Sequence, residues 1–154
     1  MSNVTIRPAL EDEHAKIAQV WLQSWATVDL KPVTEQALAD ARVRIRNELE
    51  NGWSLYVADD NGRIAAMLAF RERDGYLDQL FVAPAYHGRG IGKMLLDFTR
   101  QNLPDEIWLR CASMNEKAWR WYEREGFVFE QEAMHLQSGL PMRYYRWKKE
   151  GHRP

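Results

Sequence analysis

Cysteine occurs once in this chain, at Cys111, so no disulfide can form within it. A reducing compartment is therefore allowed, and a cytoplasmic protein is expected. No apolar run approaches the ~20 residues that a membrane span requires. The opening residues Met1-Ser2-Asn3-Val4-Thr5-Ile6-Arg7 do not have the form of a signal peptide. Neither charge is in excess: 21 Lys+Arg stand against 22 Asp+Glu. That balance argues against a generic polyanion binder, and no nucleic acid partner is expected. No unit of roughly 20–50 residues repeats, and no segment is of low complexity. The four histidines, His14, His87, His135 and His152, lack metal-ligand spacing, so no metal is expected.

What is present is an ordinary globular composition, 45% hydrophobic over 154 residues, with seven tryptophans. One domain over residues 1–154 is expected. Val4-Thr5-Ile6-Arg7 alternates as a short strand closed by Pro8. Asp12 is placed to cap a helix whose apolar stripe is Ile17, Val20, Trp21 and Trp25. The stretch Asp29-Leu30-Lys31-Pro32 breaks it. Thr34 caps a second helix with Leu38, Ala41, Ile45 and Leu49 on one face, and Asn51-Gly52 ends it. Residues 53–58 and 64–70 form a hairpin around Asn61-Gly62. Asp74-Gly75 makes the next turn. Residues 76–82 form a strand apolar on both faces, as a central strand is, and Ala83-Pro84 stops it.

A helix with Ile91, Met94, Leu95 and Phe98 on one face follows, bounded by Pro104. Residues 107–111 make a strand. Ser113 or Asn115 caps a helix carrying Ala118, Trp121 and Tyr122, which ends at Gly126. Residues 127–129 and 142–147 read as final strands, with Gly139-Leu140-Pro141 in the connection before the last. This order predicts a mixed α/β sheet with helices on its faces.

The most informative stretch runs from Val82 through His87-Gly88-Arg89-Gly90-Ile91-Gly92-Lys93. It leaves a strand, passes three alternate glycines and enters an amphipathic helix. Such a helix start offers unpaired N–H groups and a positive dipole end, which suit phosphate. Arg89 and Lys93 add cations. A Walker-type loop needs G-x-x-x-x-G-K-S/T; here Gly88 to Gly92 is one residue too short, and Met94 stands where Ser or Thr would bind magnesium. The dinucleotide fingerprint G-x-G-x-x-G is also mismatched. A loop for the pyrophosphate of coenzyme A and a ligand-free connection both remain.

His87 to Gly92 resembles motif A of the GNAT superfamily of N-acetyltransferases, Q/R-x-x-G-x-G/A, with His87 departing from Gln or Arg. Asn115 to Phe127 resembles the family's motif B, N-x-x-A-x-x-F/W/Y-Y-x-x-x-G-F. The element order agrees from Val4 to Trp147. The resemblance implies a mixed, mostly antiparallel sheet splayed between its fourth and fifth strands, with acetyl-coenzyme A in the gap as co-substrate. It also implies an acetyl transfer to a small-molecule or peptide amine, and a homodimer. A non-catalytic acyl-coenzyme A sensor on the same fold is the alternative.

By the same resemblance, the loop residues His87 to Lys93 bind the pyrophosphate through main-chain N–H groups. The main chain of Leu80, Phe81 and Val82 pairs with the pantetheine arm, and Asn115 contacts that arm or a bound water while capping its helix. Tyr122 matches the tyrosine that protonates the departing thiolate; its alternative is a core aromatic. Asp78 is read on the face shared by Leu80 and Val82 and is the candidate general base, with Glu72 or a water chain as substitutes. Its structural alternative is a carboxylate paired with an arginine. Cys111, in an apolar strand, reads as a small buried hydrophobe. The acceptor is expected between residues 14–50 and 130–146, where Trp21 and Trp25 line a pocket or pack the core.

Overall fold

The computed structural model describes residues 3–29, 32–103 and 105–149. Residues Leu30, Lys31 and Pro104, read above as breaks, and His152 lie outside them. The strands are β1 (Val4–Pro8), β2 (Ser54–Asp60), β3 (Arg63–Arg71), β4 (Tyr76–Val82), β5 (Glu106–Ala112), β6 (Val128–Met134) and β7 (Pro141–Lys148). The helices are α1 (His14–Asp29), α2 (Glu35–Glu50), α3 (Ile91–Asn102) and α4 (Glu116–Arg124). One seven-stranded sheet runs in the order β1-β2-β3-β4-β5-β7-β6. Every pairing is antiparallel except β4 with β5. The mixed sheet expected from the sequence is thus found.

Helices cover both faces, and each face has its own core. On one, Leu95 and Leu96 of α3 and Tyr122 of α4 pack with Leu68, Phe70, Leu77, Ile107 and Leu109. On the other, Ile17 and Trp21 of α1 and Ala41 and Ile45 of α2 pack with Trp53, Val57, Met67 and Ala69. The helical stripes follow from 3.6-residue periodicity; the strand residues divide by alternation.

Local chemistry sets most boundaries. Thr34 Oγ1 accepts the Ala37 N–H at 3.0 Å and starts α2. Asp12 does not cap α1. A single 3-10 turn, Glu11–Glu13, comes first. There the Glu13 carboxylate accepts the Leu10 N–H at 2.9 Å and pairs with Arg7 at 2.7 Å. With that carboxylate filling the capping role, the α-helix starts at His14. Strand β6 runs well past Phe129, the last residue the sequence pattern assigns to it. As the outermost strand it is exposed on both faces, so no apolar alternation marks Glu130, Gln131 and Glu132.

Candidate active site at the splayed strands

Strands β4 and β5 share a single register pair, Tyr76 with Trp108. The Trp108 N–H donates to the Gly75 carbonyl at 2.9 Å. Gly75 has φ +64°, and a Cβ there would lie 2.9 Å from the Glu106 carbonyl oxygen, so glycine permits this close junction. Beyond it the strands diverge. A cavity of about 550 Å³ opens in the gap, lined from both sheet faces, a size suited to a small-molecule ligand.

The face assignment of β4 differs from simple alternation. Ala69 pairs with Gln79 and the adjacent Phe70 with Leu77, so Asp78 is an extra residue in β4, a β-bulge. The bulge reverses parity along the strand. Leu77, Leu80 and Val82 pack on the α3–α4 face, whereas Phe81 packs on the α1–α2 face. Asp78 is therefore not on the face of Leu80 and Val82. Its Oδ2 accepts the indole N–H of Trp53, a residue of the α1–α2 core, at 2.7 Å. Its Oδ1 accepts the Gln79 amide at 3.0 Å. Its partners among the described residues are an indole, an amide and the Tyr76 phenol, and no arginine pairs with it.

Across the gap, Tyr122 is 8% exposed and lines the cavity. Its hydroxyl has no hydrogen-bond partner among the described residues. Burial, with a smaller contribution from Cys111, holds the phenol well above its ordinary range, so it is a proton donor at neutral pH. The ring packs edge-on to Phe127 and tilts against Trp121. Asn115 caps this helix by accepting the Ala118 N–H at 3.4 Å, and it also lines the cavity. Burial pushes the Cys111 thiol up to about 12, which leaves it an unreactive wall residue.

The glycine loop lies beyond the C-terminal end of β4. The first α3 backbone bond runs from the Met94 N–H to the Gly90 carbonyl at 3.1 Å. The N–H groups of Ile91, Gly92 and Lys93 precede it and lack acceptors one turn back. Gly90 has φ +78°, which a side chain would strain. His87 turns back to β4, its Nε2 at 2.9 Å from the Val82 carbonyl, which also accepts from Ser24 Oγ at 3.3 Å. The Arg89 guanidinium lies over the Tyr86 ring. Lys93 is engaged elsewhere, bound to Glu125 at 3.1 Å and Asp97 at 3.4 Å.

Trp21 and Trp25 both line the cavity. Trp21 is also core, 7% exposed and tilted against Trp53 at 6.0 Å. Trp25 is half-buried and meets Phe81 edge-on. The cavity also gathers residues that sequence reasoning passed over, chiefly Tyr76 and Arg110. Their one sequence signal is an arginine inside the apolar run Ile107 to Ala112.

A seven-stranded sheet opened between two parallel strands, with a phosphate-suited helix start at one end of the gap, suits an extended ligand that carries phosphate. A family model described as the acetyltransferase (GNAT) family matches residues 15–127. The chain belongs to that family and is an N-acetyltransferase, for which acetyl-coenzyme A is the typical co-substrate. It is 26% identical over 144 residues to the peptidyl-lysine N-acetyltransferase YiaC of Escherichia coli, covering 92% of this chain and 95% of that one. It is 28% identical over 136 residues to a 5-NmdU N-acetyltransferase of Pseudomonas phage PaMx11, covering 85% and 91%. A crystal structure of a GNAT protein from Rhodopseudomonas palustris superposes with a TM-score of 0.79 at 19% identity, covering 97% and 98%. No helix among the described residues is long and apolar enough to cross a membrane.

Proposed function

We propose that this enzyme transfers acetyl from acetyl-coenzyme A directly to a primary amine of a small molecule or peptide, within the gap between β4 and β5. The amine nitrogen attacks the thioester carbonyl carbon, and the carbonyl π electrons move to oxygen. The tetrahedral intermediate collapses, the C–S bond breaks, and the thiolate takes a proton from Tyr122. The amine loses its proton to Asp78, directly or through water. The N–H groups of residues 88–93 hold the pyrophosphate, with Arg89 alongside. The main chain of Leu80, Phe81 and Val82 pairs with the pantetheine arm, and its N–H groups polarise the thioester oxygen.

Tyr122 carries this reading: a largely buried aromatic on the cavity wall, its hydroxyl not engaged by any described residue and held in its protonated form. Asp78 supports the other half, because it lines the same cavity from the opposite sheet face. Trp21 and Trp25 then wall the acceptor side. The relatives named for peptidyl-lysine and for 5-NmdU differ in acceptor, so family membership leaves that side open.

Calorimetry with acetyl-coenzyme A, ATP and NAD tests the ligand class, and an amine panel read by free-thiol release tests the transfer. Binding of acetyl-coenzyme A alone, with thiol release only when amine is present, is expected. Failure of acetyl-coenzyme A to bind overturns the reading.

A further inference from the structure

We infer that the acceptor is a primary amine that also carries an anionic group, and that Arg110 receives that group. The inference rests on the transfer reading above and adds the class of amine.

Arg110 stands in β5 with Leu109 and Cys111, which pack on the α3–α4 face. Alternation puts Arg110 on the α1–α2 face, the face of Asp78 and Phe81. The side chain is half-buried and lines the cavity. Its Nε donates to the Tyr76 hydroxyl at 3.1 Å. Tyr144 is the other group that holds its charge. No carboxylate pairs with it among the described residues. The contrast within the molecule is sharp: Arg7, Arg71, Arg100, Arg143 and Arg146 are comparably shielded, and each holds an Asp or Glu. A guanidinium has five N–H donors, and two phenols cannot satisfy them. A partly desolvated cation without a counter-ion is costly, and a carboxylate or phosphate fits the guanidinium fork with two parallel hydrogen bonds.

A second cation lines the same cavity. Arg44 of α2 lies over the Trp21 ring at 4.9 Å and has no ion-pair partner among the described residues. The complementary charge stands close by. Tyr76 lies between Arg110, which donates to its hydroxyl, and Asp78, whose carboxylate acts on the same phenol. Burial and Asp78 together push that phenol up to about 12, so it stays neutral between the two charges. The wall thus offers an anion for the acceptor's ammonium and, one phenol away, a cation for a group of opposite sign. A neutral apolar amine would fill the first and leave Arg110 unpaired, which is how buried polar groups discriminate between ligands.

Matched acceptor pairs test this: L-phenylalanine against phenethylamine, L-lysine against cadaverine, and O-phosphoethanolamine against ethanolamine. Each is read by thiol release with saturating acetyl-coenzyme A. The wild-type enzyme should favour the anionic member of at least one pair by about tenfold or more in kcat/KM. The first two pairs report a carboxylate and the third a phosphate. Arg110→Gln should abolish that preference, mainly through KM, and Arg110→Lys should restore part of it. Thermal stabilisation by acetyl-coenzyme A reports that each variant is folded. Equal use of both members of every pair by the wild type overturns the inference and leaves the transfer reading standing. A preference that survives Arg110→Gln also overturns it. If Arg110→Gln does not fold, the wild-type ratios and Arg110→Lys decide. Loss of acetyl-coenzyme A binding in the wild type overturns both.

Discussion

The Trp53 indole donates to the Asp78 carboxylate at 2.7 Å, so the extra residue of the β4 bulge is fastened to a residue of the α1–α2 core. Trp53→Phe removes that donor and leaves the carboxylate short of one partner. A loss of about 1–3 kcal/mol is expected in urea denaturation. Acetylation should slow as well, since the carboxylate then keeps Gln79 and Tyr76 but loses the donor that fixes its Oδ2. Asp78→Asn keeps an acceptor for Trp53 but cannot take a proton. It should retain the fold and lower kcat by about a hundredfold or more. An unmoved pH–rate profile in this variant removes Asp78 as the base.

Tyr122→Phe keeps the ring packing against Phe127 and deletes only the hydroxyl. Turnover should fall about a hundredfold while acetyl-coenzyme A binds as before, measured by calorimetry. Burial raises this phenol, which favours its neutral form, so the proton donor persists well past pH 9. The wild-type rate should therefore show no alkaline fall attributable to Tyr122 below pH 9. Unchanged turnover in Tyr122→Phe dismisses it from the mechanism.

Gly90 and Gly92 separate backbone strain from space. At Gly90 nothing lies within 4 Å of an added Cβ, but φ is +78°. Gly90→Ala should cost about 1–2 kcal/mol from conformation alone and weaken acetyl-coenzyme A binding by tilting the N–H groups. At Gly92 an added Cβ meets the Trp121 ring at 3.7 Å, ordinary contact, and the residue is helical. Gly92→Ala should hold or raise stability by up to about 1 kcal/mol. Thermal melts with and without acetyl-coenzyme A distinguish the two.

Glu13 gives a pH-dependent contribution to stability. Hydrogen bonds from Arg7, with help from the Leu10 N–H, lower its carboxyl from 4.5 to about 2. A depressed folded-state value means that the stabilisation is complete above about pH 4.5 and is lost as pH falls toward 2. Glu13→Gln should destabilise by about 1–3 kcal/mol at pH 7. The gap from wild type should close near pH 2, measured by urea denaturation across that range.

Much of the architecture was legible from local pattern. Thr34 and Asn115 stand where a cap is needed, and both accept the expected backbone N–H. The spacing of Ile17 and Trp21, and of Ala41 and Ile45, anticipates their shared core. The glycines after Val82 marked the strand-to-helix turn. Where the pattern failed, the missing information lay in a partner strand. Edge strand β6 carries no apolar rhythm because neither of its faces is covered. The Asp12 cap failed because Glu13 is already fixed by Arg7 from β1.

The sequence alone determined which segments are helix and strand, where the glycine loop falls, and that Tyr122 and Asn115 share a helix. Those properties depend on neighbours along the chain. The tertiary structure decided which side of the sheet Asp78 serves, that Trp21 is both core and cavity wall, and that Arg110 meets Tyr76 without a carboxylate. A strand shows its alternation in sequence, but a bulge exists only relative to the strand beside it. One unpaired residue in β4 reversed the faces, and the single pair between Tyr76 and Trp108 opened the gap.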